Sequence, residues 1–446
     1  MLQQERIASM LRRLWLAPLS LVLLMTACSS NRPLGAVCKG ICPETAGPTT
    51  LAPEVPKTTA DQTADPVIAA MANEDVRAQI QDLMLKKAET VPTGIPERAL
   101  ADLPSSEDGK LQLLALSSGG PFGAFGAGFL NGWSEQVEGG LVRPEAFDVV
   151  TGVSAGALLA THAFLGREGD AVLAELYTTT STEDVLEQRS LFRTLFSNSF
   201  FDTSPLRDTL EGIVTPELLD QVAAATSPDP DDGRPTRLLL VLAVDLDSGL
   251  PRIFDLGAIA RERDAPDRIS RYVDALMASS AIPVAFPPVF IDGAMHVDGG
   301  ARLALFFNRL MQDQRATIEE RVVPAPRLDI IVNSEVTVEQ TCTENSLIGI
   351  GRRSLDVVLN QLTLDSLYRT ISEAEQEGFE VRFTTAEGSG CEPPDDPADP
   401  FERAFLQCLF DFGEDQGSSD TPFSSGLDGF PKLKIGADGN STACTS

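Results

Sequence analysis

Thr151-Gly152-Val153-Ser154-Ala155-Gly156-Ala157 decides how this chain reads. Before it, Phe147-Asp148-Val149-Val150 ends in a β-branched pair suited to a buried strand. After it, Ala157-Leu158-Leu159-Ala160 is a run of good helix formers. The junction has the pattern G-x-S-x-G. Gly152 and Gly156 allow a turn tight enough to lift the Ser154 side chain clear of the sheet, over the start of the next helix. A hydroxyl held there can serve as a nucleophile. The same pattern also describes an ordinary turn, so the rest of the chain has to decide.

A serine nucleophile needs donors for the oxyanion and a base. Upstream, Leu111 to Leu116 reads as a short apolar strand and runs into Ser117-Ser118-Gly119-Gly120-Pro121-Phe122-Gly123, followed by a helix over Ala124–Val137. Backbone N–H groups in such a loop, with the positive end of a helix behind them, suit an oxyanion. Pro121 has no N–H, so the candidate donors are Gly119, Gly120, Phe122 and Gly123. The loop lacks G-K-[ST] and is not spaced as G-x-G-x-x-G, which argues against a nucleotide site.

The chain has only two histidines, His162 and His296. Eight residues of helix carry His162 about 12 Å away from Ser154. His296 lies two residues before Asp298 on an expected strand, Ala294–Val297, reached from Val289–Ile291 through a tight Asp292-Gly293 turn. His296 and Asp298 therefore share a face and both remain candidates for the base. Asp298 is the better placed, because Gly299-Gly300 after it lets a short loop aim the carboxylate into a cleft.

Strands are also expected at Leu238–Leu246 and Leu328–Val332, and helices over most of 168–225, at Arg271–Ser279, at Leu347–Glu377 and at Phe401–Phe412. Alternating strands and helices predict an α/β fold with a mainly parallel sheet and helices on both faces.

Four blocks carry a family resemblance: the loop at Ser117–Gly128, G-V-S-A-G at Gly152–Gly156, Ala278-Ser279-Ser280-Ala281-Ile282-Pro283 with Phe286-Pro287-Pro288, and Asp298-Gly299-Gly300. In this order and spacing they resemble the patatin-like phospholipases over roughly residues 110–335. The resemblance implies a three-layer α/β/α patatin-like fold and lipid acyl hydrolysis by a Ser–Asp dyad, with Ser154 as nucleophile, Asp298 as base and the loop around Gly119–Gly123 as oxyanion hole. It implies a lipid or phospholipid substrate and neither metal nor organic cofactor. The family's loop usually reads G-G-G-x-[RK]-G. Here Ser118 stands for the first glycine and Phe122 for the basic residue. A general esterase, a thioesterase, and a catalytically silent lipid-binding lipoprotein are the rival readings.

At the N-terminus, Arg6, Arg12 and Arg13 precede an apolar run from Leu14 to Ala27 and then Cys28. The run is short for a transmembrane span and suits a signal-peptide core. Leu24-Met25-Thr26-Ala27-Cys28 resembles the lipobox of bacterial lipoproteins. It implies cleavage before Cys28, lipidation there, and an envelope location, with Ser29 favouring the outer membrane. The expected organisation is a signal peptide (1–27), a Pro/Thr-rich tether (28–70), a helical extension (71–108) with a helix at Asn73–Thr90, a catalytic domain (109–335), a C-terminal helical elaboration (336–430) and a loose tail (431–446). The formal charge of −30 disfavours nucleic acid as a partner. Six further cysteines, Cys38, Cys42, Cys342, Cys391, Cys408 and Cys444, fit disulfides in an oxidising compartment, at least one of them among the last four.

Overall fold

Residues along the central strands alternate between two cores. Leu114, Leu116, Val150, Leu239 and Val241 face one side of the sheet. Leu113, Ala115, Val149, Leu238 and Leu240 face the other. Both sides of these strands are thus buried, and near-continuous apolar runs are what such strands require. The computed structural model describes residues 110–430, apart from 137–141, 190–197, 228–236, 308–324, 338–342, 344, 395, 397 and 398. The expected signal peptide, Cys28, the tether, the helix at 73–90, the tail and Cys38, Cys42, Cys342 and Cys444 lie outside the described residues.

In chain order the elements are β1 (Gln112–Leu116), α1 (Gly123–Ser134), β2 (Val149–Val153), α2 (Ala155–Leu165), α3 (Asp170–Thr179), α4 (Thr182–Val185), β3 (Glu187–Gln188), β4 (Phe201–Asp202), α5 (Ser204–Ile213), α6 (Pro216–Ala225), β5 (Leu238–Asp245), β6 (Leu250–Asp255), α7 (Leu256–Arg261), α8 (Arg268–Ser279), β7 (Val289–Ile291), β8 (Ala294–Asp298), β9 (Arg327–Val332), α9 (Leu347–Gln376), β10 (Glu380–Thr385), α10 (Arg403–Ser418) and β11 (Ser424–Ser425). The main sheet runs β11-β10-β9-β1-β2-β5-β8-β7, with β6 also paired to β5. Its middle, β10-β9-β1-β2-β5, is parallel. The additions at the two ends are antiparallel. α1, α2, α8 and α10 cover one face, and α9 lies on the other through Leu364, Leu367 and Ile371. The fold is the expected three-layer α/β/α sandwich.

Some boundaries differ from the sequence reading for physical reasons. Region 336–430 is not purely helical, because β10 and β11 extend the same sheet. β6 was unexpected, since Pro251 interrupts its pattern, yet it pairs with Val244 on a strand at the sheet's margin, where proline is tolerated. α10 does not stop at Phe412 but continues to Ser418. Gly413 and Gly417 look like breakers, but they let α10 lie against α1: an added Cβ would fall 2.2 Å from Phe125 O and 2.3 Å from Phe129 O. Gly128 and Gly132 on α1 return the same contact, each 2.0 Å from a carbonyl oxygen of α10. A disulfide, Cys391–Cys408, ties the acidic loop to α10. It falls within the group of four cysteines where a bridge was expected.

Candidate active site

One register change builds the site. β5 pairs with β2 up to Leu242↔Val153. At the next residue it pairs with β8 instead, Ala243↔Asp298. β6 occupies β5's other edge over this stretch. β2 and β8 therefore meet end to end along one strand, and the turn leaving β2 faces the turn leaving β8. These turns carry Ser154 and Asp298.

Ser154 has φ 53° and ψ −122°. A non-glycine residue in the positive-φ half of the map costs about 1–3 kcal/mol and persists only when its neighbours enforce it. They do so here. Ser154 N donates to Ser279 Oγ at 3.0 Å, and Ser279 Oγ donates to Leu242 O at 2.7 Å. Gly156 N donates to Ser117 O at 3.1 Å. An added Cβ on Gly152 would lie 2.5 Å from Gly156 O, and one on Gly156 would lie 2.4 Å from Leu116 O, so both glycines are needed by close approach. The hydroxyl of Ser154 stands over the first turn of α2.

That hydroxyl lies near enough to the Asp298 carboxyl to lower its pKa. Asp298 Oδ1 also accepts from Gly300 N at 2.7 Å, and Asp298 N donates to Ala281 O at 2.8 Å. Burial raises the carboxyl's pKa to about 6, against the lowering effect of Ser154 and Gly300. The group is thus ionised at neutral pH yet far more basic than a solvated aspartate.

The Gly-rich loop is narrower in its chemistry than the sequence suggested. Phe122 N donates to Gly119 O at 3.2 Å. Gly123 N donates to the carbonyls of Gly120 and Pro121. A 3₁₀ turn at Gly120–Phe122 thus consumes two of the four expected donors. Gly119 and Gly120 keep N–H groups that no acceptor among the described residues takes. Gly120 needs its glycine, with φ +55°. The loop is held by a residue that sequence reasoning missed, Asn333, just past β9. Its N donates to Ser117 Oγ and its Nδ2 to Ser117 O, both at 2.8 Å. A polar residue directly after the apolar run Leu328–Val332 was the available signal.

The two histidines take other positions. His162 is buried on α2, and burial alone lowers its pKa to about 4. His296 is buried with its ring against Phe254, centroids 5.7 Å apart, and its Nδ1 is 3.1 Å from Ala294 O. Burial is the main cause that lowers its pKa. Phe122, where a basic residue was expected, packs edge-to-face on Phe405 of α10 with centroids 5.6 Å apart.

Beside Ser154 opens a cleft of ≈ 1030 Å³, including the space open at its mouth. Gly120, Ser154 and Ala155 lie at the reacting end, and Leu158, Leu206, Leu210, Leu276 and Phe286 form its walls. Such a cleft suits a long apolar chain whose polar end reaches the serine. Among the described residues no cluster of His, Cys, Asp or Glu could hold a metal ion, and no helix is long and apolar enough to cross a membrane.

A strained serine between strand and helix, near a buried carboxylate at the C-terminal edge of a parallel sheet, is the kind of arrangement that serine hydrolases of the α/β class use. Residues 114–310 match the family of patatin-like phospholipases. The chain therefore carries a patatin-like phospholipase domain, whose members are esterases and lipid acyl hydrolases. Among solved structures, VipD from Legionella pneumophila is similar, with 12% identity, 69% of this chain and 66% of that chain covered, and a TM-score of 0.27. No curated protein sequence matches.

Proposed function

We propose that the protein hydrolyses carboxylic esters of lipids, in the manner of a phospholipase A, through an acyl-enzyme on Ser154. The observation that carries this reading is the strained Ser154, at the mouth of an apolar cleft and beside the buried Asp298 carboxyl whose pKa it influences. Asp298 takes the hydroxyl proton as Oγ bonds to the ester carbon. The carbonyl oxygen, now negative, is held by the N–H groups of Gly119 and Gly120 and by the positive ends of α1 and α2. Asp298 returns the proton to the departing alcohol, leaving the acyl-enzyme. Water then repeats the cycle, giving its proton to Asp298 and releasing the fatty acid. Both steps need one group that alternates between base and acid, which a carboxyl of pKa about 6 performs well near neutrality.

The lipobox-like Leu24–Cys28 supports a further part of the reading, an envelope enzyme anchored by acyl chains on Cys28. Two or three chains anchor stably where one does so only marginally. The test of the activity is direct. A fluorophosphonate probe is expected to label the wild-type chain and not Ser154→Ala, and only the wild type is expected to release fatty acid from phospholipid vesicles. A wild-type chain that is neither labelled nor active would make this a silent lipid-binding protein. The anchor is checked by mass: a mature N-terminus at Cys28 without added lipid would remove it.

A further inference from the structure

The cleft is apolar along its walls, but two polar side chains that line it, the buried His162 and the half-buried Tyr177, have no hydrogen-bond partner among the described residues. His162 is 6% exposed, and its imidazole makes no hydrogen bond; burial is the only influence on its pKa. The Tyr177 hydroxyl is likewise unbonded, and burial alone raises its pKa beyond the usual tyrosine range. Other polar groups of the same wall are satisfied: Thr161 Oγ1 and Tyr272 Oη are 2.8 Å apart, and Asp184 accepts from Ser181 N at 2.9 Å. Beyond the Gly120 N–H beside the serine, His162 and Tyr177 are therefore ring groups of the cleft left to a ligand or to water.

They sit at different depths. Tyr177 Oη would lie 2.7 Å from a Cβ on Gly123, and Ala155 Cβ 3.1 Å from it, so this hydroxyl stands beside the serine turn. His162 follows Ser154 by eight residues on α2, roughly 12 Å further along the helix axis. A plain hydrocarbon chain filling the cleft would displace water from both groups and leave each unbonded. An unsatisfied buried donor or acceptor weakens binding, by a factor of about ten for each 1.4 kcal/mol of penalty. A chain carrying a hydroxyl at the matching depth avoids this.

We propose that the cleft selects acyl chains that carry a hydroxyl group, with Tyr177 reading a hydroxyl near the ester and His162 one at mid-chain. At neutral pH the imidazole is neutral, so one ring nitrogen donates and the other accepts, and either suits an alcohol. The proposal rests on the reading of the site as a lipid acyl hydrolase, but its test does not need turnover.

The test is calorimetric binding of free long-chain acids to the full chain carrying Ser154→Ala: an unsubstituted acid, its 3-hydroxy form and a mid-chain hydroxy form. Both hydroxy acids are expected to bind about fivefold or more tighter than the unsubstituted acid. His162→Leu is expected to abolish the mid-chain preference and leave the 3-hydroxy preference, and Tyr177→Phe to do the reverse. His162→Gln, which keeps a donor and an acceptor, is expected to retain much of the mid-chain preference and thereby separate recognition from cavity shape. Equal affinity for the three acids, or preferences that survive both substitutions, would overturn the proposal. A catalytically silent wild type that still shows the binding pattern would overturn the hydrolase reading and leave the specificity standing. A hydrolase that binds the acids without preference would do the opposite.

Discussion

Two parts of this molecule are built on glycine, and they use it for different ends. At the serine turn, Gly152 and Gly156 bring β2, α2 and the loop after β1 within one atom's width of each other, and the product is a strained Ser154 aimed at Asp298. At the α1–α10 seam, Gly128, Gly132, Gly413 and Gly417 remove four Cβ atoms so that two helix backbones touch. No group there is positioned for chemistry. The first contact makes a reactive geometry at a cost in strain. The second fixes α1, and with it the loop that carries Gly119 and Gly120, to a segment beyond the family-matched residues 114–310. Changes at the turn should therefore appear in rate, and changes at the seam in stability.

The largest expected effect is in rate. Asp298→Asn is expected to lower kcat by about 10²–10⁴, the usual loss for a general base. A double variant, His162→Gln with His296→Gln, removes every imidazole in the chain and is expected to stay within about tenfold of wild type on unsubstituted esters. An inactive but folded double variant beside an active Asp298→Asn would reverse the assignment. The pH profile sharpens it: kcat/KM should rise with pH through an ionisation near 6 and level off above it, because only the ionised Asp298 accepts the proton. The sign for stability is opposite. The folded state holds the Asp298 proton more tightly than the unfolded chain does, so this group's contribution falls as pH rises from about 4 to about 6. Asp298→Asn should then be more stable than wild type at pH 8, by up to about 3 kcal/mol, and lose that advantage near pH 4. Denaturant melts at the two pH values check it.

The seam comes next. Gly413→Leu forces a side chain against Phe125 O and is expected to destabilise by about 3 kcal/mol. Gly212, in α5, meets nothing within 4 Å of an added Cβ, and Gly212→Ala should stabilise by about 0.5–1 kcal/mol. If both substitutions have the same sign, the seam is not a close contact. Opening the Cys391–Cys408 bridge by Cys391→Ala with Cys408→Ala is expected to cost about 2–3 kcal/mol, for a sequence separation of 17. Chemical denaturation measures each. None of these variants should change kcat as much as Asp298→Asn does.

The same contrast explains what the sequence disclosed. The turn was legible because its parts are local: a β-branched run, G-x-S-x-G, a helix-forming run, and an Asp292-Gly293 hairpin whose positive φ angles of 53° and 80° its residues tolerate. A carboxylate rather than an imidazole base was suggested by the presence of only two histidines, and Asp298 stood out among the carboxylates because Gly299-Gly300 follow it. The seam was not, since glycine in a helical pattern reads as a stop until the partner backbone is known, and this ended α10 at Phe412 on paper. Donor count was also beyond the sequence: only the 3₁₀ turn at Gly120–Phe122 decides that the N–H groups of Phe122 and Gly123 are spent internally. β2 and β8 meeting end to end is a register fact, and register between distant strands has no local signature.

The smallest effect expected is the one that joins the two regions. Phe122 lies in the loop proposed to hold the oxyanion, and its ring packs on Phe405 of α10. The side chain thus serves the seam, while the loop's backbone serves the site. Phe122→Arg removes an edge-to-face pair worth about 0.5–1.5 kcal/mol and should lower stability by that amount. Gly119 and Gly120 N–H remain as they were, so kcat on an uncharged short-chain ester should change by less than about threefold, since loss of even one oxyanion donor costs about 10²–10³. The informative quantity is the KM for a phospholipid against that for the uncharged ester. A guanidinium here would meet a phosphate near the scissile ester and lower only the phospholipid's KM. If Phe122→Arg lowers neither KM but costs kcat a hundredfold, the ring positions the oxyanion loop, and the two glycine-built regions are one working unit.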